Sequence, residues 1–386
     1  MTIQYVANAR IPSRKAHPYQ IVQMCAGFEA AGEDVELVVP DRRHGRNAVD
    51  GPAESYFDTR ISFDITKLRC IDFIYTLDRL PSAFGLPIFY LQALTFSLAA
   101  LWHVLRGEQA DLIYTRSLLF ALLCSIVLPD RTVVELHQFP SRRWVARLLG
   151  RRFERLRGVV TISEGLRREW DQATDADIVV EPDGVRLDRF DADVDRSAVR
   201  GELSTAEDRF VACYAGSVKP WKGVDTLVRA AATLEDVDVW VVGGTDDQLA
   251  WLRETVGSVP GSVTLVGHVR PEAVPRYLAA SDCLVLPNTA DSDISSRYTS
   301  PLKLFEYMAA GRPIVASDLP SIREVLDEES AFFFDPDDPA SLAACLRTVR
   351  DGDDADDRTA AARNRVERYT WTARAERILD RYASGR

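Results

Sequence analysis

Lysine is nearly absent from this chain of 386 residues: five stand against 42 arginines, namely Lys15, Lys67, Lys219, Lys222 and Lys303. A high-salt or GC-rich background would strip lysine from the surface, and those that remain are the ones with a local job. Cysteine is sparse and scattered. The six (Cys25, Cys70, Cys124, Cys213, Cys283 and Cys345) form no C-x-x-C pair and have no histidine at ligand spacing, which excludes a cysteine-built zinc site and reads as reduced core thiols. The basic residues do not outnumber the acidic ones. A net charge of -11 excludes general attraction to nucleic acid, which requires a cationic face. The opening residues lack the charged-then-apolar build of a signal peptide, so a cytoplasmic protein is expected. Missing too is a G-x-G-x-x-G after the first strand. The loop reads NARIPSRKAHP, which argues against a dinucleotide site in the first half.

What is present is apolar material for two cores, 46% of the residues. Short β-branched runs alternate with helix-length amphipathic stretches: Ile3 to Val6, Val35 to Val39, Leu112 to Tyr114, Thr132 to Leu136 and Val159 to Ile162 in the first half. The second half continues with Phe210 to Tyr214, Val237 to Val242, Val263 to Val266 and Cys283 to Leu286. That alternation predicts an α/β chain of two Rossmann-like domains with parallel sheets built from βαβ units. The turn-rich, charged stretch EPDGVRLDRFDADVDR marks a boundary, giving a first domain over 1–187 and a second over 188–367. Ligands bind outside the carboxyl ends of such strands, so the chemistry is expected in a cleft between the two sheets.

Two constellations carry that chemistry. In SRYTSPLKLFEYMAAGRPIVASDLPS, Ser300 reads as N-cap, Pro301 as first helical residue, Gly311 as the helix stop and Pro313 to Ser317 as the next strand. The free N–H groups of Leu302 and Lys303 and the helix dipole then form an anion site. Lys303 and Glu306 share a face, the ammonium suited to phosphate and the carboxylate to ribose hydroxyls; the plain alternative is a surface ion pair. The second constellation, CYAGSVKPWKGVDTLVRAA, places Gly216, Ser217, Lys219 and Lys222 in a loop directly after a buried strand, with a helix beginning near Gly223 to Asp225. Lysines there point at something anionic; solvated loop lysines are the alternative.

The order GSVKPWKGVDTLVRA, VVGG, GHV, SDCLVLP, SPLKLFEYMAAGRPIVASDLP and YTWTARAERILDRY resembles the retaining glycosyltransferases of family 4, with the GT-B fold. In the first half VVELHQFP, VVTISEGLRREW and VVEPDGVRLDRF are similar to the family's acceptor-side segments. The resemblance implies a UDP- or GDP-sugar donor on the second domain, with Lys222 on the diphosphate, Glu306 on the ribose, and His137 reaching the donor sugar from the acceptor side. It implies a terminal helix, about 368–386, packing back on the first domain, retention of configuration, and neither metal nor cofactor. The acceptor-side loop would be Ser13, Arg14 and Lys15.

Two positions depart from the family. Its first glutamate, eight residues before Glu306, is Tyr298 here, and nearby Asp291, Asp293 or Ser296 are the substitutes; its loop arginine is Ser217. A nucleotide-sugar epimerase or hydrolase shares this architecture and stays open, and Tyr298 in place of the glutamate keeps open a non-catalytic nucleotide-sugar binder. For the acceptor, a glycan or lipid-linked sugar, two stretches point to peripheral membrane contact. The uncharged run over 84–105 fits a buried core helix, a lipid-contacting helix or a span. The run over 142–157 sets Arg142, Arg143, Arg147, Arg151, Arg152, Arg155 and Arg157 around Trp144, Leu148, Leu149 and Phe153, the pattern of a membrane-surface helix or of a solvated one.

Overall fold

Continuous apolar runs become strands where both faces of a sheet are covered. The computed structural model describes residues 1–13, 16–42, 51–73, 85–107, 109–292, 296, 300–352 and 354–382. Its first sheet holds β1 (Thr2–Val6), β2 (Asp34–Pro40), β3 (Asp64–Leu68), β4 (Leu112–Thr115), β5 (Thr132–Leu136), β6 (Gly158–Thr161) and β7 (Ile178–Val180). They are ordered β3-β2-β1-β4-β5-β6-β7. The second holds β8 (Phe210–Ala215), β9 (Val237–Val242), β10 (Val263–Gly267), β11 (Cys283–Leu286), β12 (Ile314–Ser317) and β13 (Phe332–Phe334), ordered β10-β9-β8-β11-β12-β13. Among the described residues every pairing between these strands is parallel.

The chain divides into two compact units. The first comprises Met1–Ile162, Leu166–Pro182 and Trp371–Arg386; the second comprises Ser163–Gly165 and Asp183–Thr370. In the second unit the sheet is covered on both faces, by the Phe305 and Met308 side of one helix layer and by Leu227, Leu252 and Leu346 of the other. The two crossing segments are tied together inside that unit, where Val185 N–H donates to the Tyr369 carbonyl at 2.9 Å.

In the first unit the helix Trp371–Tyr382 packs on the helix Ala16–Ala30. Two glycines permit this docking. A Cβ on Gly27 would stand 2.6 Å from the Trp371 carbonyl oxygen, and one on Gly158 only 2.1 Å from the Tyr382 ring. All six cysteines are free thiols, four of them buried.

Of the alternatives for the apolar run in the first half, the buried core helix does not describe what forms. The apolar run is a helix, Gly85–Arg106, yet not a core helix: Gln92, Ala93, Phe96, Ser97, Ala100 and Val104 line its buried side, while its other side is exposed and still apolar.

Candidate functional site

The strand order of the second sheet reverses between β8 and β11, and an open α/β sheet binds ligands beyond the carboxyl ends at such a switch point. Two loops meet there. The segment after β8 passes Gly216, makes a 3-10 turn at Pro220–Lys222 and enters the helix Val224–Ala231 at Gly223. Gly223 has φ of 62°, and a Cβ on it would fall 1.8 Å from the carbonyl oxygen of Pro287, just past β11. Only glycine lets the loops close this tightly. Gly216, at φ 146°, leaves room for the Lys303 ammonium, which a Cβ there would approach to 3.2 Å.

Lys222 and Lys303 are each only 7% exposed. Their ammonium groups lie 3.7 Å from the ring centroids of Trp221 and Tyr214 respectively. The Tyr214 hydroxyl donates to the Ser217 carbonyl at 2.7 Å, which holds its ring under Lys303. Among the described residues neither lysine has a carboxylate partner, and Lys303 Nζ has no hydrogen-bond partner. Burial, and then the charge of Lys219, pulls Lys222 down to about 7. Burial, and then the charge of Lys222, holds Lys303 well below the usual lysine range. Two cations buried within each other's field are costly alone and favourable around an anion. Gly216 lies at the rim, with Ser217 and Lys219 exposed beside it.

The 300s helix runs Leu302–Ala310, one residue shorter than expected at its start. Ser300 is not its N-cap. The Ser300 hydroxyl instead accepts from the Asp183 backbone N–H at 2.9 Å, and Pro301, with extended backbone, takes the cap position. Leu304 N–H donates to the Pro301 carbonyl at 2.8 Å, so the N–H groups of Leu302 and Lys303 stay outside the helix's own bonding. The two free N–H groups therefore survive the shift. Gly311, at φ 62°, closes the helix as its sequence predicts. Ala215 N–H donates to the Tyr307 hydroxyl at 2.7 Å and so pins this helix to the end of β8.

Glu306 does not pair with Lys303. Its carboxylate lies 3.5 Å from Nη1 of Arg189, in the 3-10 turn Leu187–Phe190. Burial raises the Glu306 pKa while Arg189 and then Lys303 oppose the rise. Arg189 sits in a charged, turn-rich stretch with no periodicity to single it out in the sequence.

In the first unit His137 follows β5 and its ring is held by Glu135. Glu135 is 2% exposed, accepts from Tyr114 Oη and from Arg374 Nη2 at 3.0 Å, and lies 3.6 Å from Arg116 Nε. Against burial, Arg374 and His137 hold this carboxyl well below its usual range. Burial, and then Arg116, pulls His137 down to about 4. A neutral ring donating Nε2–H to a carboxylate presents the lone pair of Nδ1 as an acceptor. Glu135 has no role assigned from sequence, although a glutamate inside the strand TVVEL, wholly buried in the fold, is a signal that could mark this cluster. Arg116 and Arg374 carried none. Ser13 is buried, whereas Arg14, Lys15, Asp293 and Tyr298 lie outside the described residues.

Comparison with known proteins bears on the family and the fold. A sequence profile described as Glycosyltransferase Family 4 matches residues 19–189, and one described as Glycosyl transferases group 1 matches residues 209–351. A phosphatidyl-myo-inositol mannosyltransferase of Mycobacterium tuberculosis is 30% identical over 240 residues, 59% of this chain and 60% of that protein. A D-inositol 3-phosphate glycosyltransferase of Streptomyces scabiei is 28% identical over 235 residues, 57% of this chain and 51% of that protein. The match thus spans between half and three-fifths of those relatives. Among solved structures, Anabaena HepE in complex with UDP superposes with a TM-score of 0.75 at 16% identity, covering all of both chains. The sucrose-phosphate synthase of Thermosynechococcus elongatus gives 0.75 at 19%, covering 99% of this chain and 98% of that one. At such identities the likeness is one of fold, two parallel-sheet Rossmann-like domains of GT-B type. The two profiles, one on each half, lead to one assignment: the chain belongs to the family 4 glycosyltransferases.

Proposed function

We propose that this protein transfers a sugar from a UDP- or GDP-sugar to a hydroxyl of a lipid-linked or inositol-containing acceptor, at the cytoplasmic face of a membrane, with retention and without a metal. The observation that carries the proposal is the buried, unneutralised pair Lys222 and Lys303 at the switch point of the second sheet. In the reaction the bond from C1 to the diphosphate oxygen breaks, the acceptor oxygen bonds C1 on the same face, and the acceptor proton passes to the departing diphosphate. The two ammonium groups and the free N–H groups of Leu302 and Lys303 stabilise the charge that develops on that leaving group.

Glu306, steadied by Arg189, accepts from the ribose hydroxyls. His137 offers Nδ1 to a hydroxyl of the donor sugar, its ring fixed by Glu135. Gly216, Ser217 and Lys219 line the diphosphate side. Relatives acting on phosphatidyl-myo-inositol and on D-inositol 3-phosphate support an acceptor of that chemistry.

The test is to incubate the full chain with UDP- and GDP-sugars and a panel of inositol and phosphatidylinositol acceptors, reading the product's anomeric proton by NMR. A retained anomer is expected, with turnover in Lys222→Ala and Glu306→Ala down at least ~100-fold. An inverted anomer or unimpaired variants would contradict the assignment. Epimerised or freed sugar with donor alone would favour the epimerase or hydrolase.

A further inference from the structure

The helix Gly85–Arg106 runs for 22 residues, about 33 Å at the helical rise. Its outward side carries Leu86, Tyr90, Leu94, Leu98, Trp102 and Leu105, each between 42% and 67% exposed. This helix packs beside Leu118–Val127, which in turn packs beside Arg143–Phe153, so the three form one layer over the first sheet. The exposed surface of that layer continues the pattern with Ile126 and Val127 on the second helix and Trp144 and Leu148 on the third. An apolar surface of this extent is a docking face.

Charge identifies what docks. In a chain with 58 acidic residues, these three helices contain not one Asp or Glu. The third exposes Arg143, Arg147 and Arg151 around Trp144 and Leu148, with Arg142 just before it. A second copy of the chain would bring arginines to a face with no carboxylate in those helices to receive them. Anionic headgroups beside acyl chains supply both the charge and the apolar phase, and indole and phenol groups such as Trp102, Trp144 and Tyr90 favour that interface. The helix Gly85–Arg106 is long and apolar enough to cross a bilayer, with a mean hydropathy of 1.6 over its most apolar window. A span would leave its buried Gln92 without Asn8, to which it is bonded twice at 3.0 Å, and would strip the helix from β2 and β3.

We propose that the outer surface of this three-helix layer is a membrane-docking face that lies on an anionic phospholipid bilayer, with the helix Gly85–Arg106 in the plane of the interface. The inference concerns the first unit alone and stands whether or not the second unit transfers sugar. The experiment is flotation of the full chain with vesicles of phosphatidylcholine and of phosphatidylcholine mixed with phosphatidylglycerol. Wild type is expected to float with the mixed vesicles far better than with the neutral ones. Arg143→Gln and Arg147→Gln should each weaken partitioning about fivefold and only on the anionic vesicles. The exposed pair Leu94→Ser and Leu98→Ser should weaken it on both compositions while the melting temperature holds. Wild-type protein left at the bottom of the gradient with anionic vesicles would overturn the proposal, as would variants that bind like wild type. A dimer in sedimentation velocity that Leu98→Ser dissolves would assign the face to a second copy and overturn it too.

Discussion

Lys303 is the residue on which most of the site's electrostatics converge. Its ammonium is buried against Tyr214 and feels Lys222, so the protein keeps a cation where water would serve it better. Replacing it by methionine removes that cost, and Lys303→Met is expected to stabilise the unliganded protein by about 1–3 kcal/mol in chemical denaturation while weakening nucleoside diphosphate binding at least ~30-fold. Lys222 makes the same point through pH. Its pKa in the folded protein, about 7, lies below the unfolded value, so the unfolded chain holds more protons above pH 7. Lys222 therefore destabilises fully below pH 7, and stability of the free protein should rise as pH climbs from about 7 toward the ordinary lysine range. Donor affinity should fall over the same interval, because phosphate needs the ammonium form; a melt and a binding isotherm at pH 6.5 and 9 check both signs. Arg189 acts through Glu306. With Arg189→Gln the carboxylate loses its nearest cation, and the acid limb of the pH–rate profile is expected to move upward.

At the scale of elements, the strands legible from periodicity are mostly the central ones. β5, β9 and β11 match their sequence-predicted bounds, since strands covered on both faces read as apolar runs with at most a single charge. The three that escaped, β3, β7 and β13, all stand at sheet edges. β3, DITKL, is mostly exposed or half buried, and β7 and β13 are only three residues long, so their pattern fades into loop. The start of the 300s helix differs from its sequence-predicted position for a related reason. Ser-Pro is a good capping pair locally, but the Asp183 N–H claims the Ser300 hydroxyl from 117 residues away, and no window of sequence contains that partner. The lysines and Glu306 were legible because a charge in an apolar segment stands out; Arg189, Arg116 and Arg374 were hidden among 42 arginines. The loop closure at Gly223 offers a test at this scale. Gly223→Ala would force its Cβ into the Pro287 carbonyl, and a loss of more than about 2 kcal/mol of stability is expected, together with loss of the anion site.

Across the whole molecule, each unit has its own sheet and core, and apart from the short segment Ser163–Gly165 the second unit is the continuous stretch Asp183–Thr370. The final helix belongs to the first unit because Arg374, 1% exposed, reaches Glu135 and the carbonyls of Glu181 and Pro182. A chain ended after Thr370 would leave the Glu135 carboxylate buried without its strongest partner, at a cost of about 3–5 kcal/mol. Calorimetry of that truncation should show the first unit's transition lowered or lost and the second unit's kept. The central claim is that Lys222 and Lys303 hold a nucleoside diphosphate, and calorimetric titration of UDP and GDP at pH 8, in two buffers of different ionisation heat, addresses it most directly. Binding with net proton uptake, abolished in the Lys222→Met, Lys303→Met double variant, is the expected result. Binding that is proton-neutral and survives the double substitution would place the diphosphate elsewhere and contradict the account.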